Sequence, residues 1–375
     1  MEINKIPYEF KTAPAVFAVN NDYKIMVMTR CELTFWVTVG DDAFYDHTNG
    51  IMRSVTDIHS VTVPMSALDG AKKYTVHYRR VLERKPNYPL LEEEKTITFD
   101  FRPVKNDGEL KIYHIADTHG DEKFSIAAGQ YFGNELDLLV LNGDLPDHSG
   151  DVKNFGLIYK LCGNITGGNI PCVFSRGNHD TRGFCAEKIT EYTPTDNGKS
   201  YYTFRLGRIW GMVLDTAEDK PDDCIEYNGT VCCEVFRREE TRFIEDVVKR
   251  AETEYAAEGI EYKFVVVHTP FTYTKEPPFD IEQELFGKWA DILSEQVKPD
   301  LMLCGHLHET RVCHKGDEYD NKGQPCTVIV GANPLRQGKR HYGYVGAAIT
   351  IDGRDVKVEF TDHDKNVLES EEFTI

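Results

Sequence analysis

Apolar and polar positions alternate along much of the first hundred residues. In CELTFWVTV, Cys31, Leu33, Phe35, Val37 and Val39 fall on one side, and Glu32, Thr34 and Thr38 on the other. Tyr74, Val76 and Tyr78 alternate with Thr75, His77 and Arg79, and Ile97, Phe99 and Phe101 with Thr96, Thr98 and Asp100. Successive side chains of a strand point to opposite faces, so a period of two predicts half-buried strands. Several such segments, with no helical pattern between them, predict an antiparallel β-sandwich over residues 1–105. RPVKNDGE, Arg102 to Glu109, reads as a connector.

Beyond it the pattern changes. KIYHIAD, DLLVLNGD, PCVFSRGNHD, YKFVVVH and DLMLCGH are nearly continuous apolar runs that end in polar residues. Such runs fit strands buried on both faces. Helices are predicted between them, near residues 122–134, 151–166 and 281–297, and Phe243, Ile244, Val247, Val248 and Ala251 form a helical stripe. CTVIVGA, GYVGAAITIDG and DVKVEFTDHD return to strands. Buried strands alternating with amphipathic helices predict an α/β domain over residues 106–375. A chain of 375 residues exceeds the usual size of one core, which agrees with two domains.

Composition narrows the function classes. The formal net charge is -19. A protein that negative repels a phosphate backbone, so a nucleic-acid partner is not expected. An anionic substrate would need something locally positive to receive it. No apolar run approaches the ~20 residues that span a bilayer. The start, MEINKIPYEF, lacks a signal peptide's apolar core, so the expectation is a cytoplasmic protein whose ten irregularly spaced cysteines are reduced thiols.

Candidate chemistry sits where the buried runs end. Asp117 and His119 come from ADTHG, Asp144 from NGDLPDH, and Asn178 from GNHD, where His179 and Asp180 follow it without being counted as ligands. His268 comes from VVVHTP, and His306 and His308 from GHLH. In open α/β sheets ligands bind in the crevice beyond the carboxyl ends of the strands. Any one of these residues is more often an ordinary loop or core residue, but chance does not account for the ordered set. Carboxylates, imidazoles and one amide oxygen suit Zn, Mn or Fe. Seven candidate ligands are too many for one metal with an open position and fit two metals that share a carboxylate. Two such ions could clamp both oxygens of a phosphoryl transfer and make a water between them acidic enough to attack as hydroxide.

The ordered motifs resemble the calcineurin-like metallophosphoesterase superfamily over roughly residues 110–310. The resemblance implies a four-layer fold, two mixed β-sheets flanked by helices. It also implies that Asp117, His119 and His308 hold one metal, that Asn178, His268 and His306 hold the other, and that Asp144 bridges them. His179 would be the outer-sphere histidine facing the substrate. A β-sandwich ahead of such a domain looks like the layout of purple acid phosphatases. Those enzymes carry a ligand tyrosine three residues after the bridging aspartate, where this chain has Asp147. Asp147 is similar instead to the GDxxD carboxylate of protein Ser/Thr phosphatases, which supports the catalytic histidine. It would orient His179 and favour the imidazolium, with Asp180 as the alternative partner. In those phosphatases a phosphate-binding arginine comes next; here His148 does. Arg176 or Arg182 could supply a positive group, or could be surface residues.

The first functional reading is therefore a metal-dependent phosphoesterase acting on small mono- or diesters. The alternatives are a nuclease or nucleotide phosphodiesterase on the same site, or a non-catalytic protein-binding module on the same scaffold. Such modules typically lose ligands or the reactive histidine, and here all remain. The other residues weighed carry blander expectations. His114 reads as a packed core residue, and His341 and His363 lie outside the motifs. AEDKPDDCIEYNGT, Ala217 to Thr230, reads as a solvated loop, with a lid as the alternative. In TPFTYTKEPPFD, Phe271, Tyr273 and Phe279 either wall a substrate pocket or simply pack. Nothing in the sequence speaks to oligomeric state.

Overall fold

The apolar runs of the larger part are strands whose alternate residues face different cores. In Leu138–Asn142, Leu138 and Val140 enter one apolar cluster, Leu139 and Leu141 another. In Leu301–Cys304, Leu301 and Leu303 enter that same first cluster, while Met302 and Cys304 enter a third. The first cluster therefore lies between two strand layers. The computed structural model describes residues 6–273 and 276–375.

One layer runs Ile58–Pro64, Asp22–Met28, Ala15–Val19, Cys172–Ser175, Leu138–Asn142, Leu110–Ile115, Arg340–Asp352, Asp355–Asp362, Val367–Thr374. The other runs Tyr202–Leu206, Ile209–Leu214, Tyr262–Val267, Leu301–Cys304, Thr327–Gln337, with Thr310–Cys313 beside the last. The long hairpin of Thr327–Gln337 and Arg340–Asp352 joins the layers. Helices Lys123–Gly129 and Gly156–Thr166 cover the first layer through Ala128, Ile158 and Leu161. Helices Cys233–Lys249 and Gln283–Ile292 cover the second through Ile244, Val247, Phe286 and Trp289. This is the expected four-layer α/β arrangement of two mixed sheets flanked by helices.

The N-terminal strands do form a sandwich. Lys95–Asp100, Lys73–Glu83, Leu33–Val39 and Asp42–Tyr45 make an antiparallel sheet. Its Phe35, Val37, Val76 and Phe99 share a cluster with Val16, Ile25 and Val63 of the facing layer. That facing layer continues beyond residue 105, because Ala15–Val19 pairs in parallel with Cys172–Ser175, Phe17 opposite Cys172. The shift in pattern near residue 105 is thus a change of strand type that hydrogen bonds cross. A short helix, Met65–Ala71, interrupts the strands, which period-two alternation does not reveal. It buries Met65 and Leu68, three residues apart, and ends at Lys72 in the left-handed conformation. All ten cysteines are free thiols, six of them buried. Among the described residues no helix is long and apolar enough to cross a membrane.

Candidate metal centre

Five strands end around one spot: Leu110–Ile115, Leu138–Asn142 and Cys172–Ser175 from one layer, Tyr262–Val267 and Leu301–Cys304 from the other. The turns beyond them are unusual in backbone. Asp117, His119, Asp144, His306 and His308 have φ of 52, 45, 53, 71 and 52°. Residues with a Cβ seldom adopt positive φ, and such strain persists where the surrounding structure imposes it, often at functional sites. Two motif glycines allow the close approach. A Cβ on Gly177 would lie 2.2 Å from Asp144 Oδ1, and one on Gly305 would lie 2.7 Å from Asp117 Oδ2.

The predicted ligand atoms converge. His119 Nε2 and His308 Nε2 are 2.8 Å apart. Asp117 Oδ1 lies 3.5 Å from His308 Nε2, 3.6 Å from His268 Nε2 and 3.9 Å from His119 Nε2. Asp144 Oδ2 lies 3.3 Å from His268 Nε2 and 4.0 Å from His119 Nε2, so it sits between the two groups. His306 Nδ1 meets Asn178 Oδ1 at 3.0 Å. Asp117, His119 and His308 form one set of atoms close enough to grip a single ion, and Asp144, His268 and His306 another.

The residues fit metal ions on two structural grounds. Asp117 Oδ1 and His268 Nε2 are buried with no hydrogen-bond partner among the described residues, which is costly unless a ligand satisfies them. The donors also present lone pairs inward. His268 Nδ1 lies 2.6 Å from the carbonyl of Asn142, which can only accept, so Nδ1 carries the proton and Nε2 faces the site. The local potential is strongly negative. Burial works against charge on His268, yet Asp144 and Asp117 outweigh it and raise its pKa to about 10. Burial likewise works against ionisation of Asp117 and Asp144, and the nearby imidazoles, His268 foremost, outweigh it and hold both carboxyls below their usual range. A potential that retains a proton there equally retains a cation.

His179 lies at the open edge of the set, its side chain 29% exposed. Its backbone N–H donates to Asp144 Oδ1 at 2.8 Å. Its Nδ1 lies 3.0 Å from the carbonyl of Asp147, and Arg182 Nη1 lies 3.2 Å from its Nε2. A carbonyl only accepts and a guanidinium only donates, so the proton sits on Nδ1 and Nε2 accepts. Here the structure differs from the expectation for Asp147. Its backbone oxygen orients His179, while its carboxylate turns to His119 Nδ1 at 3.6 Å and to Arg336 Nη1 at 3.8 Å. Asp180, the alternative partner, is fully buried and accepts from the N–H groups of Gly177 and Asp144 at 2.8 and 3.2 Å. Burial, then the charge of Asp144, raises its pKa to about 7.

The acidic loop is not simply solvated. Glu218 is fully buried, and Asp219 Oδ2 lies 3.4 Å from His306 Nε2. Burial raises the Asp219 pKa, but His306, Lys220 and Arg182 together bring it down to about 2. Arg182 forms a two-pronged pair with Glu218. These two carboxylates are functional candidates that residue patterns leave unmarked; the only signal is an acidic run directly after a buried strand. His114 is a core residue as expected, hydrogen-bonded to Asn142, and burial lowers its pKa to about 3. Phe271 packs against Phe286 and Trp289 and Tyr273 packs on Tyr319, and both, with the exposed Phe279, also line a cleft beside Glu218 and Asp219. Residues 274 and 275 of that segment lie outside the described residues.

Comparison with known proteins follows the same lines. Residues 110–310 match the family model described as calcineurin-like phosphoesterase. A probable cyclic nucleotide phosphodiesterase of Fibrobacter succinogenes is 32% identical over 122 residues, 29% of this chain and 46% of that protein. The chain thus spans under half the length of the curated relative it matches. The purple acid phosphatase PPD1 from seeds of yellow lupin, Lupinus luteus, superposes with a TM-score of 0.57 at 12% identity, over 97% of this chain and 74% of that one. PhoD superposes with a TM-score of 0.55 at 12% identity, over 99% of this chain and 90% of that one. At such identities the likeness is one of fold.

Proposed function

The chain belongs to the calcineurin-like phosphoesterase family, and on that premise we propose that it hydrolyses phosphate mono- or diesters with two metal ions held between its layers. One observation carries the reading. Strand ends from both layers bring carboxylate, imidazole and amide donors together around buried atoms, Asp117 Oδ1 and His268 Nε2, that have no hydrogen-bond partner among the described residues. Asp117, His119 and His308 would hold one ion, and Asn178, His268 and His306 the other, with Asp144 shared. The donor set suits Mn, Fe or Zn. Such ions supply Lewis acidity, offsetting phosphoryl charge and acidifying the attacking water.

The chain's own residues orient and protonate. The Asn142 carbonyl keeps His268 in the tautomer that presents Nε2 inward. The His179 N–H fixes one oxygen of Asp144 and leaves the other free for binding. His179, at the open edge, would face the leaving oxygen; with a proton on Nε2, in place of accepting there from Arg182, it would stabilise developing charge or pass that proton on. Asp147 acts as a positioning residue for both His119 and His179. The net charge of -19 weighs against long nucleic acids as substrates. The relationship to a probable cyclic nucleotide phosphodiesterase favours a small diester as the second reading.

The test is metal removal by chelation, followed by reloading with Mn, Fe or Zn. Turnover of p-nitrophenyl phosphate, bis(p-nitrophenyl) phosphate and cyclic AMP is then measured. Hydrolysis of at least one ester is expected in reloaded protein and absent from stripped protein. Equal turnover, or none, in both states refutes the proposal, and a complete lack of hydrolysis would favour the binding-module alternative.

A further inference from the structure

One guanidinium faces the open side of the site and is held there with unusual care. Arg182 donates from Nε and Nη2 to the two oxygens of Glu218, each at 2.7 Å. Glu218 is fully buried and also accepts from Thr181 Oγ1 at 2.8 Å and from the Tyr227 hydroxyl at 3.0 Å. Its backbone is fixed as well, because the buried Arg237 donates to the carbonyls of Thr216 and Glu218 at 3.0 and 3.1 Å. The Arg182 side chain stays 30% exposed, and its remaining terminal nitrogen, Nη1, points at His179 Nε2.

We propose that Arg182 is a substrate-contact residue that grips phosphoryl oxygens beside His179, and that Glu218 is the positioning residue that aims it. The inference rests on reading the site as a phosphoesterase. A guanidinium paired through two parallel bonds to an immobile carboxylate has its plane fixed, so its outer N–H groups point in set directions. Nη1 carries two hydrogens; His179 accepts one, and the other is available to an anion. Asp219 lies 3.6 Å away, and with Glu218 it offsets the positive charge. Arg182 therefore contributes directed donors rather than net charge. That separates it from lysine, which would keep the charge and lose the fork.

The test measures binding of inorganic phosphate to metal-loaded protein by calorimetry, alongside metal content and turnover of p-nitrophenyl phosphate. Variants are R182K, R182A and R182A/E218Q, the last avoiding an unpaired buried carboxylate that could cost folding. Phosphate affinity should fall about tenfold to a hundredfold in all three, with metal content unchanged. Millimolar guanidinium should lower the KM of R182A. Wild-type phosphate affinity in R182A/E218Q overturns the proposal, and so does a lack of phosphate binding to the loaded wild type. Arginine-dependent phosphate binding without hydrolysis would support Arg182 as the contact and sink only the hydrolase reading.

Discussion

The floor of the site and its rim are built by different means. The floor is a ring of strand ends, where two packed layers impose positive φ on Asp117, His119, Asp144, His306 and His308. The rim is one loop after Ile209–Leu214, tied down by buried charge. Arg176 Nε lies 2.7 Å from Asp215 Oδ2, Arg237 holds the loop carbonyls, and Asp222 caps the helix Cys233–Lys249 through the N–H groups of Cys233 and Glu234. A rigid scaffold can place ligands with short local turns. A loop must find partners from elsewhere in the chain, and its geometry depends on all of them.

The largest expected effects test the floor. Asp144→Asn should reduce hydrolysis to background and lower the metal stoichiometry, because its free oxygen lies between the two donor groups. Elemental analysis of reloaded protein checks this; full metal content with full turnover would remove Asp144 from its shared position. Next, His179→Asn should slow turnover about a hundredfold to ten thousandfold while leaving metal content intact, as loss of a proton-transfer group would. Unchanged turnover in that variant would mean that His179 has no part in the chemistry.

A third variant asks how far rim and floor are coupled. Asp219 approaches the ring nitrogen of His306 that faces away from Asn178. Outer carboxylates fix the tautomer and raise the basicity of a metal-binding imidazole, and their loss typically costs about 10–100-fold in metal affinity. Asp219→Asn should weaken one binding step by that amount and spare the other, which competition with a chelator can resolve. Equal weakening of both steps, or of neither, would break the link between loop and floor.

These differences explain what is legible in the sequence. The floor residues each end an apolar run, and a run buried on both faces already implies where its end must lie. Ligand type and fold class follow from that. Asp147 shows the limit, since a motif locates a residue on a turn without giving its rotamer. Its backbone oxygen contacts His179 and its carboxylate contacts His119. The pairing of Phe17 with Cys172 is equally hidden, because edge-to-edge continuation leaves no periodic trace. Glu218 lies inside an acidic run that resembles any solvated loop. Its burial depends on Arg182 and Arg237, 36 and 19 residues away; Arg182 draws notice beside GNHD, but nothing in either segment points to Glu218 as its partner.

The smallest effect sharpens the contrast through protonation. Floor carboxylates are held ionised, Asp117 and Asp144 lying below their usual range. Behind the rim, Glu240 is the opposite case. It is fully buried, with Oε1 accepting from the Asp215 N–H at 2.7 Å and Oε2 without a hydrogen-bond partner among the described residues. Burial, then the charge of Asp215, raises its pKa well above 4.5, against the pull of that N–H and of Arg176 and Arg237. The folded state therefore keeps a proton that the unfolded chain releases. Stability from this group is complete below the unfolded value and is lost as pH rises toward the folded one, at up to about 1.4 kcal/mol per pH unit. Glu240→Gln keeps the acceptor and cannot titrate. Urea unfolding of the metal-loaded protein at several pH values above about 5 should show a flatter decline in the variant than in the wild type. Parallel curves would mean that Glu240 is ionised and balanced by the two arginines, so that floor and rim follow one electrostatic rule rather than two.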